Sequence, residues 1–267
     1  MLLFAKSIMR TSGIKNLAPQ RFNLLRDLIL QSGGIRIEQL CRQVGVSSAT
    51  IRRDLDELQK SGAIRRVHGG AVSVESRLEE PLFDNKTSIA VKEKHQIAQA
   101  ALKFVASGDT IYLDGGSTVL ELARLLRERT NLTIVTNSLR ASIELSGRGP
   151  RLILIGGELR RLSQTMVGPL SRHVLDGLHL DKAFMGTIGF TLHEGLTTTE
   201  PSEAFTKELV MAHAREVILL ADSSKAGKVS FARAGSLTKI HTVITDAGVD
   251  QKFARELTKK GIKIIKA

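Results

Sequence analysis

The chain has 267 residues, 42% of them hydrophobic, with one Tyr, no Trp, one Cys and a net charge of +12 from 39 Lys/Arg against 27 Asp/Glu. That length predicts one large or two unequal domains with a sizeable core; the single cysteine excludes an intrachain disulfide, and the sparse aromatics argue against a single-strand nucleic-acid platform built on base stacking. No apolar run approaches the ~20 residues that span a bilayer, so no membrane partner and a cytoplasmic location are expected.

The charge is uneven, since residues 1–77 hold 13 Lys/Arg and 6 Asp/Glu. A basic front suits a polyanion partner, and it equally suits a plain soluble basic surface. Residues 1–18 superficially resemble a transit peptide but read as a disordered basic tail. Pro19 then opens a helical pattern carrying Phe22, Leu25, Leu28 and Ile29, closed by Ser32-Gly33-Gly34. A second short helix sets Ile37, Leu40, Cys41 and Val44 on one face, with Cys41 as a small core residue, and Gly45-Val46 breaks it. Ser47 or Ser48 caps a third helix with Ile51, Leu55 and Leu58, which stops at Gly62. Ile64–Val67, a turn at His68-Gly69-Gly70, and Ala71–Val74 read as a β-hairpin. Three short helices and a basic hairpin make a winged helix-turn-helix over 19–75.

In that unit the third helix is the candidate recognition helix. With Ile51, Leu55 and Leu58 inward, Ser47, Ser48, Thr50, Arg52 and Arg53 gather near its N-terminal end, the part that enters a major groove. Arginine can bond guanine with two donors, and Arg65, Arg66 and His68 of the hairpin suit backbone or minor-groove contact. Asp54 has the wrong sign for DNA and is expected to pair with an arginine or cap a turn. A winged helix can also serve protein contact, but its helix then need not be basic.

Residues 76–88, with Glu79, Glu80, Pro81, Asp84 and Asn85, read as a linker. Beyond it, over 89–267, strands and helices alternate. Strand candidates are Thr110–Leu113, Leu132–Thr136, Arg151–Ile155, Lys182–Met185, Val217–Ala221, Thr242–Thr245 and Ile262–Ile265; helices include Val119–Arg127, Ser202–Ala214 and Val249–Lys260. Short Ile/Val/Leu-rich strands with crossover helices predict an α/β domain on a mainly parallel sheet covered on both faces. After the first strand, Asp114-Gly115-Gly116-Ser117-Thr118 leads straight into a helix, a pattern that lets backbone and hydroxyls approach an anion. It lacks the lysine of a phosphate-binding ATPase loop and the spacing of a dinucleotide loop, so neither cofactor is expected; many αβ turns share its composition. Polar clusters also follow other strands, namely Thr136-Asn137-Ser138, Gly156-Gly157-Glu158, Gly186–Gly189, Asp222–Lys225 and Asp246. In an open parallel sheet such strand ends surround the ligand crevice. The histidines are scattered, so no metal site is expected.

The spacing Arg21, Leu25, Ile29, then Ser47, Thr50, Ile51, Arg52, Arg53, Asp54 and Leu55, with Arg65–Ala71, resembles the DeoR family of repressors. The resemblance continues through Asp114–Thr118, Thr136–Ser138, Gly156–Arg160, Phe184–Gly189, Gly195–Thr198 and Ala221–Lys225, covering residues 20 to 267. It implies a C-terminal sensor related to ribose-5-phosphate isomerase and glucosamine-6-phosphate deaminase folds, a phosphorylated sugar or sugar-alcohol effector, double-stranded operator DNA as partner, and a homo-oligomer, dimer or tetramer. By analogy Gly116, Ser117 and Thr118 hold the phosphate, with Gly115 beside them in the effector site, Lys225 adds charge, and Asp114, Asn137, Glu203 and Asp222 meet sugar hydroxyls. Many relatives carry Phe-Gly after the lysine, where this chain has Ala226-Gly227. The competing reading is a sugar-phosphate isomerase or deaminase, with Asp114, Glu203, Asp222 and Lys225 in acid–base roles and an accessory DNA module.

Overall fold

In the computed structural model, which describes residues 18–32, 34–60, 64–67, 69–73, 80–147 and 149–267, the chain divides at Ser76–Arg77 into two units. The basic tail expected over 1–18 lies outside the described residues except for Ala18, as does His68.

The first unit runs α1 (Ala18–Ser32), β1 (Gly34–Arg36), α2 (Ile37–Val44), α3 (Ser48–Lys60), β2 (Ile64–Val67) and β3 (Gly70–Ser73). The apolar positions that recur at helical spacing are the ones that meet: Leu25, Ile29, Leu40, Ile51, Leu55 and Leu58 form one core with Ile64 and Ala71 of the sheet, and Cys41 packs at its edge. Gly45 ends α2 in the left-handed region, at φ 74°, which a side chain would resist. The hairpin of β2 and β3 gains a third strand that the sequence reading missed. β1 pairs antiparallel with β3, so closely that a Cβ on Gly70 would come 2.4 Å from the Ile35 carbonyl oxygen. A three-residue strand behind a glycine pair has too little pattern to separate it from a helix stop.

The second unit comprises α4 (Phe83–Thr87), α5 (Val91–Leu102), β4 (Thr110–Leu113), α6 (Ser117–Leu126), β5 (Thr133–Thr136), α7 (Leu139–Leu145), β6 (Arg151–Leu154), β7 (Glu158–Arg160), β8 (Thr165–Val167), α8 (Ser171–Leu175) and β9 (Leu180–Met185). It continues with β10 (Gly189–Thr191), β11 (Gly195–Thr198), α9 (Pro201–His213), β12 (Ala214–Leu220), β13 (Ala232–Gly235), β14 (Thr242–Thr245), α10 (Gln251–Lys259) and β15 (Lys263–Lys266). Its centre is a seven-stranded sheet in the order β6-β5-β4-β9-β12-β14-β15, parallel throughout. Alternate strand residues feed two cores. Ile111, Leu113, Phe184 and Ile218 face α5 and α6 through Ile97, Ala101, Leu122 and Ala123, whereas Tyr112, Ala183, Met185 and Val217 face α9 through Leu209 and Val210. Burial on both faces is why these strands read as unbroken apolar runs.

The chain builds outward from β4 to β6, then returns to lay β9 against the other side of β4 and proceeds to β15. The order therefore reverses between β4 and β9, and the crevice beyond their carboxyl ends is where such a sheet binds ligands.

The linker expected over 76–88 is corrected from Glu80 onward. Phe83–Thr87 is helix, Phe83 is buried among Ile97, Val119 and their neighbours, and Glu80 is buried. The segment is polar by composition, which hid one apolar anchor and one carboxylate with built-in partners.

Candidate functional site

At the start of α3 the Ser47 hydroxyl accepts from the Thr50 amide at 3.3 Å and lies 3.0 Å from the Thr50 hydroxyl, so these two predicted contacts also form the helix cap. Ser48, Arg52 and Arg53 are exposed, opposite the buried Ile51 and Leu55, and among the described residues neither arginine enters an ion pair. Asp54 is removed from that surface as expected. Arg21 of α1 donates to both its oxygens, at 2.5 and 3.0 Å, tying α1 to α3. Arg66 is paired with Asp56 of α3, while Arg65 sits on β2 opposite Val72. Toward its N-terminal end α3 thus exposes one hydroxyl and two guanidinium groups, from Ser48, Arg52 and Arg53.

The second site lies at the reversal point of the sheet. Asp114, Gly115, Gly116, Ser117, Thr118, Asn137, Glu203, Asp222 and Lys225 all line one cleft there. Gly116 is the N-cap of α6 and supplies no side-chain cap, so the first amides of the helix, at Ser117 and Thr118, are available to an anion. The glycines also serve packing. A Cβ on Gly115 would come 1.9 Å from Thr165 Cγ2, and one on Gly116 would come 3.4 Å from the Gly186 Cα across the β4–β9 gap. Asp114 stitches that gap: it accepts from the Gly186 amide at 2.9 Å and pairs with Lys207, whose amine also reaches the Gly186 carbonyl at 3.0 Å.

The carboxylates of the cleft differ in how far they are engaged. Glu203 accepts from Thr198 at 2.8 Å and from Thr165 and Arg160 at 3.2 Å. Asp222 caps a turn through the amide and hydroxyl of Ser224. Asn137 donates to the Met166 carbonyl at 3.0 Å, leaving its buried Oδ1 without a partner among the described residues and able to accept from a ligand hydroxyl. Lys94 and Lys225 also stand on the wall. Burial pushes the ammonium groups of Lys94 and Lys225 below the ordinary lysine range, while nearby Asp222 pulls in the opposite direction.

Glu80, Lys86, Lys94, Ser163, Thr165 and Lys207 also line the cleft, and the sequence reading selected none of them. α4 and α5 were not recognised as elements, and a lysine on a helix ordinarily signals solvent. Two predicted clusters lie elsewhere. Gly157 turns into the β7–β8 hairpin with φ 155°, and Asp246 accepts from the Ser223 and Gly248 amides at 2.6 and 2.8 Å; both are local turn chemistry and do not line the cleft. Among the described residues no group of three His, Cys, Asp or Glu could hold a metal ion, and no helix is long and apolar enough to cross a membrane.

Comparison with known proteins divides the chain in the same way. Residues 21–77 match the DeoR-like helix-turn-helix domain and residues 89–247 match the DeoR C terminal sensor domain. The HTH-type transcriptional regulator GlpR of Haloferax volcanii is 36% identical over 93% of this chain and 98% of its own. The lactose phosphotransferase system repressor of Streptococcus mutans is 36% identical over 88% and 95%, and the HTH-type transcriptional regulator IolR of Bacillus subtilis is 34% identical over 88% and 94%. Among solved structures, ribose 5-phosphate isomerase A of Methanocaldococcus jannaschii aligns over 50% of this chain and 53% of its own, at 22% identity and a TM-score of 0.36, too remote a likeness to bear on chemistry.

Proposed function

The chain belongs to the DeoR family of helix-turn-helix transcriptional regulators, and from that premise we propose that it represses a carbohydrate-utilisation operon and that a phosphorylated sugar or sugar alcohol controls its hold on the operator. The observation that carries the reading is the chemistry of the switch-point cleft. It joins a capless helix N-terminus and two desolvated amines, which suit a phosphate, to an unpaired buried amide oxygen and several hydroxyls, which suit a polyol. The Streptococcus mutans relative, a repressor of a lactose phosphotransferase system, supports the link to sugar uptake. Ser48, Arg52 and Arg53 supply base and phosphate contacts, and a palindromic operator calls for at least a dimer.

Against the isomerase reading, both oxygens of Glu203 are already engaged by Arg160 and two threonines, and Asp114 Oδ2 by Lys207 and the Gly186 amide. A thermal-shift screen of the full chain with phosphorylated sugars and sugar alcohols tests the effector class. A ligand that binds only the folded state raises the melting temperature, and a panel without any rise sinks the assignment.

A further inference from the structure

One wall of the cleft comes from the segment that leads out of the DNA-reading unit: only residues 74–79 separate the end of β3 from Glu80 in the sequence, and Glu80, Lys86 and Ile89 all line the cleft. That wall is fastened at several points. Phe83 donates its amide to the Leu162 carbonyl at 3.1 Å, Arg140 pairs with Asp84, and Lys86 lies over the buried Phe83 ring at 5.5 Å. Its main fastening is Glu80, whose side chain is 2% exposed. It accepts from Lys86 at 2.6 Å, from Arg160 at 2.7 Å and from Thr199 at 2.6 Å. The amine of the buried Lys94 is hydrogen-bonded to the Lys86 carbonyl, so the wall touches the cleft's desolvated charge through its backbone as well.

We propose that Lys86 is a ligand of the effector's anionic group and that Glu80 is the internal competitor for its amine, so that effector binding re-pairs the segment tethered to the DNA-reading unit. The proposal rests on the reading of the cleft as an anion site. The exchange is feasible because Glu80 has partners to spare. When Lys86 turns to an anion, the carboxylate keeps the Arg160 guanidinium and the Thr199 hydroxyl, so no buried charge is stranded. A bound anion in turn gains a third amine beside Lys94 and Lys225, both of which already feel the charge of Lys86. Ligand occupancy is thereby written into the pairing of Glu80 with Lys86.

The test is a titration of the full chain with inorganic phosphate, read by calorimetry and by melting temperature, for the wild type, Lys86→Met, Lys86→Arg and Glu80→Gln. Lys86→Met should weaken phosphate binding by about tenfold, equivalent to losing one charged contact, and Lys86→Arg should recover most of it. Glu80→Gln, which frees Lys86 and removes a negative charge from the wall, should bind phosphate more tightly than the wild type. A purely structural ion pair predicts the opposite for Glu80→Gln, because breaking either end would loosen the site equally. Unchanged binding in Lys86→Met, or equal weakening in Lys86→Met and Glu80→Gln, overturns the proposal alone. If Lys86→Met does not fold, the signs for Glu80→Gln and Lys86→Arg decide. A wild type that binds neither phosphate nor any phosphorylated sugar overturns the anion-site reading, and this proposal with it.

Discussion

Arg53 and Asp54 are adjacent on α3 and face different fates. Arg53 is exposed on the surface proposed to read DNA, whereas Asp54 is buried against Arg21 and holds two helices together. Their substitutions should therefore separate cleanly. Arg52→Ala or Arg53→Ala should cost about 1–3 kcal/mol of operator affinity if that side chain reads a base, with little change in melting temperature. Asp54→Ala should instead lower the stability of the first unit by about 1–3 kcal/mol, as a charged hydrogen-bonded partner is lost, which thermal melting measures. In the cleft, burial works to raise the Glu80 carboxyl, but Lys86, Thr199 and Arg160 outweigh it and hold the group below the ordinary Glu range. Its folded pKa is depressed, so its contribution to stability is complete above the unfolded value of about 4.3 and is lost as pH falls through the folded value. Acid titration should show Glu80→Gln losing less stability than the wild type below about pH 4.3; parallel curves would contradict the pairing.

At the level of elements, what was legible in the sequence was whatever repeats. The three helices of the first unit were readable because Leu25, Ile29, Ile51 and Leu55 recur at helical spacing and are the buried residues. The strands of the large sheet were readable because runs such as Thr110–Leu113 are apolar on both faces. The Asp114–Thr118 loop was readable because glycines and hydroxyls stand between a strand and a helix. The rest depends on pairing between distant segments, which leaves no local period. β1 is three residues long. Lys94 is a buried lysine on an amphipathic helix. Two of the partners that let Glu80 be buried, Arg160 and Thr199, lie 80 and 119 residues away. The strand order that unites the cleft is likewise invisible to local pattern. The β4–α6 turn makes its own prediction. Gly115→Ala would place a methyl 1.9 Å from the buried Thr165 side chain and should destabilise the second unit by about 1–3 kcal/mol through overpacking, seen as a lower melting temperature. An unchanged melting temperature would mean that the turn yields freely and that its glycine is not required by packing.

For the whole molecule, the proposed reading surface on α3 and the switch-point cleft make sense in one chain if occupancy of the second alters the first. That requires the effector to prefer one state of the protein over another. Operator binding should weaken steeply with salt, because arginine and lysine contacts to phosphates release counterions. The most direct measurement is the affinity of the full-length protein for operator DNA, selected from a random duplex pool, with and without each member of a sugar-phosphate panel, for the wild type and for the double variant Ser117→Ala/Thr118→Ala. At least one sugar phosphate should shift the wild-type Kd by about tenfold or more, a coupling of about 1.4 kcal/mol, while the double variant binds the operator normally and responds weakly. Operator affinity indifferent to every member of the panel, or shifted equally in both proteins, would contradict control through the α6 N-terminus.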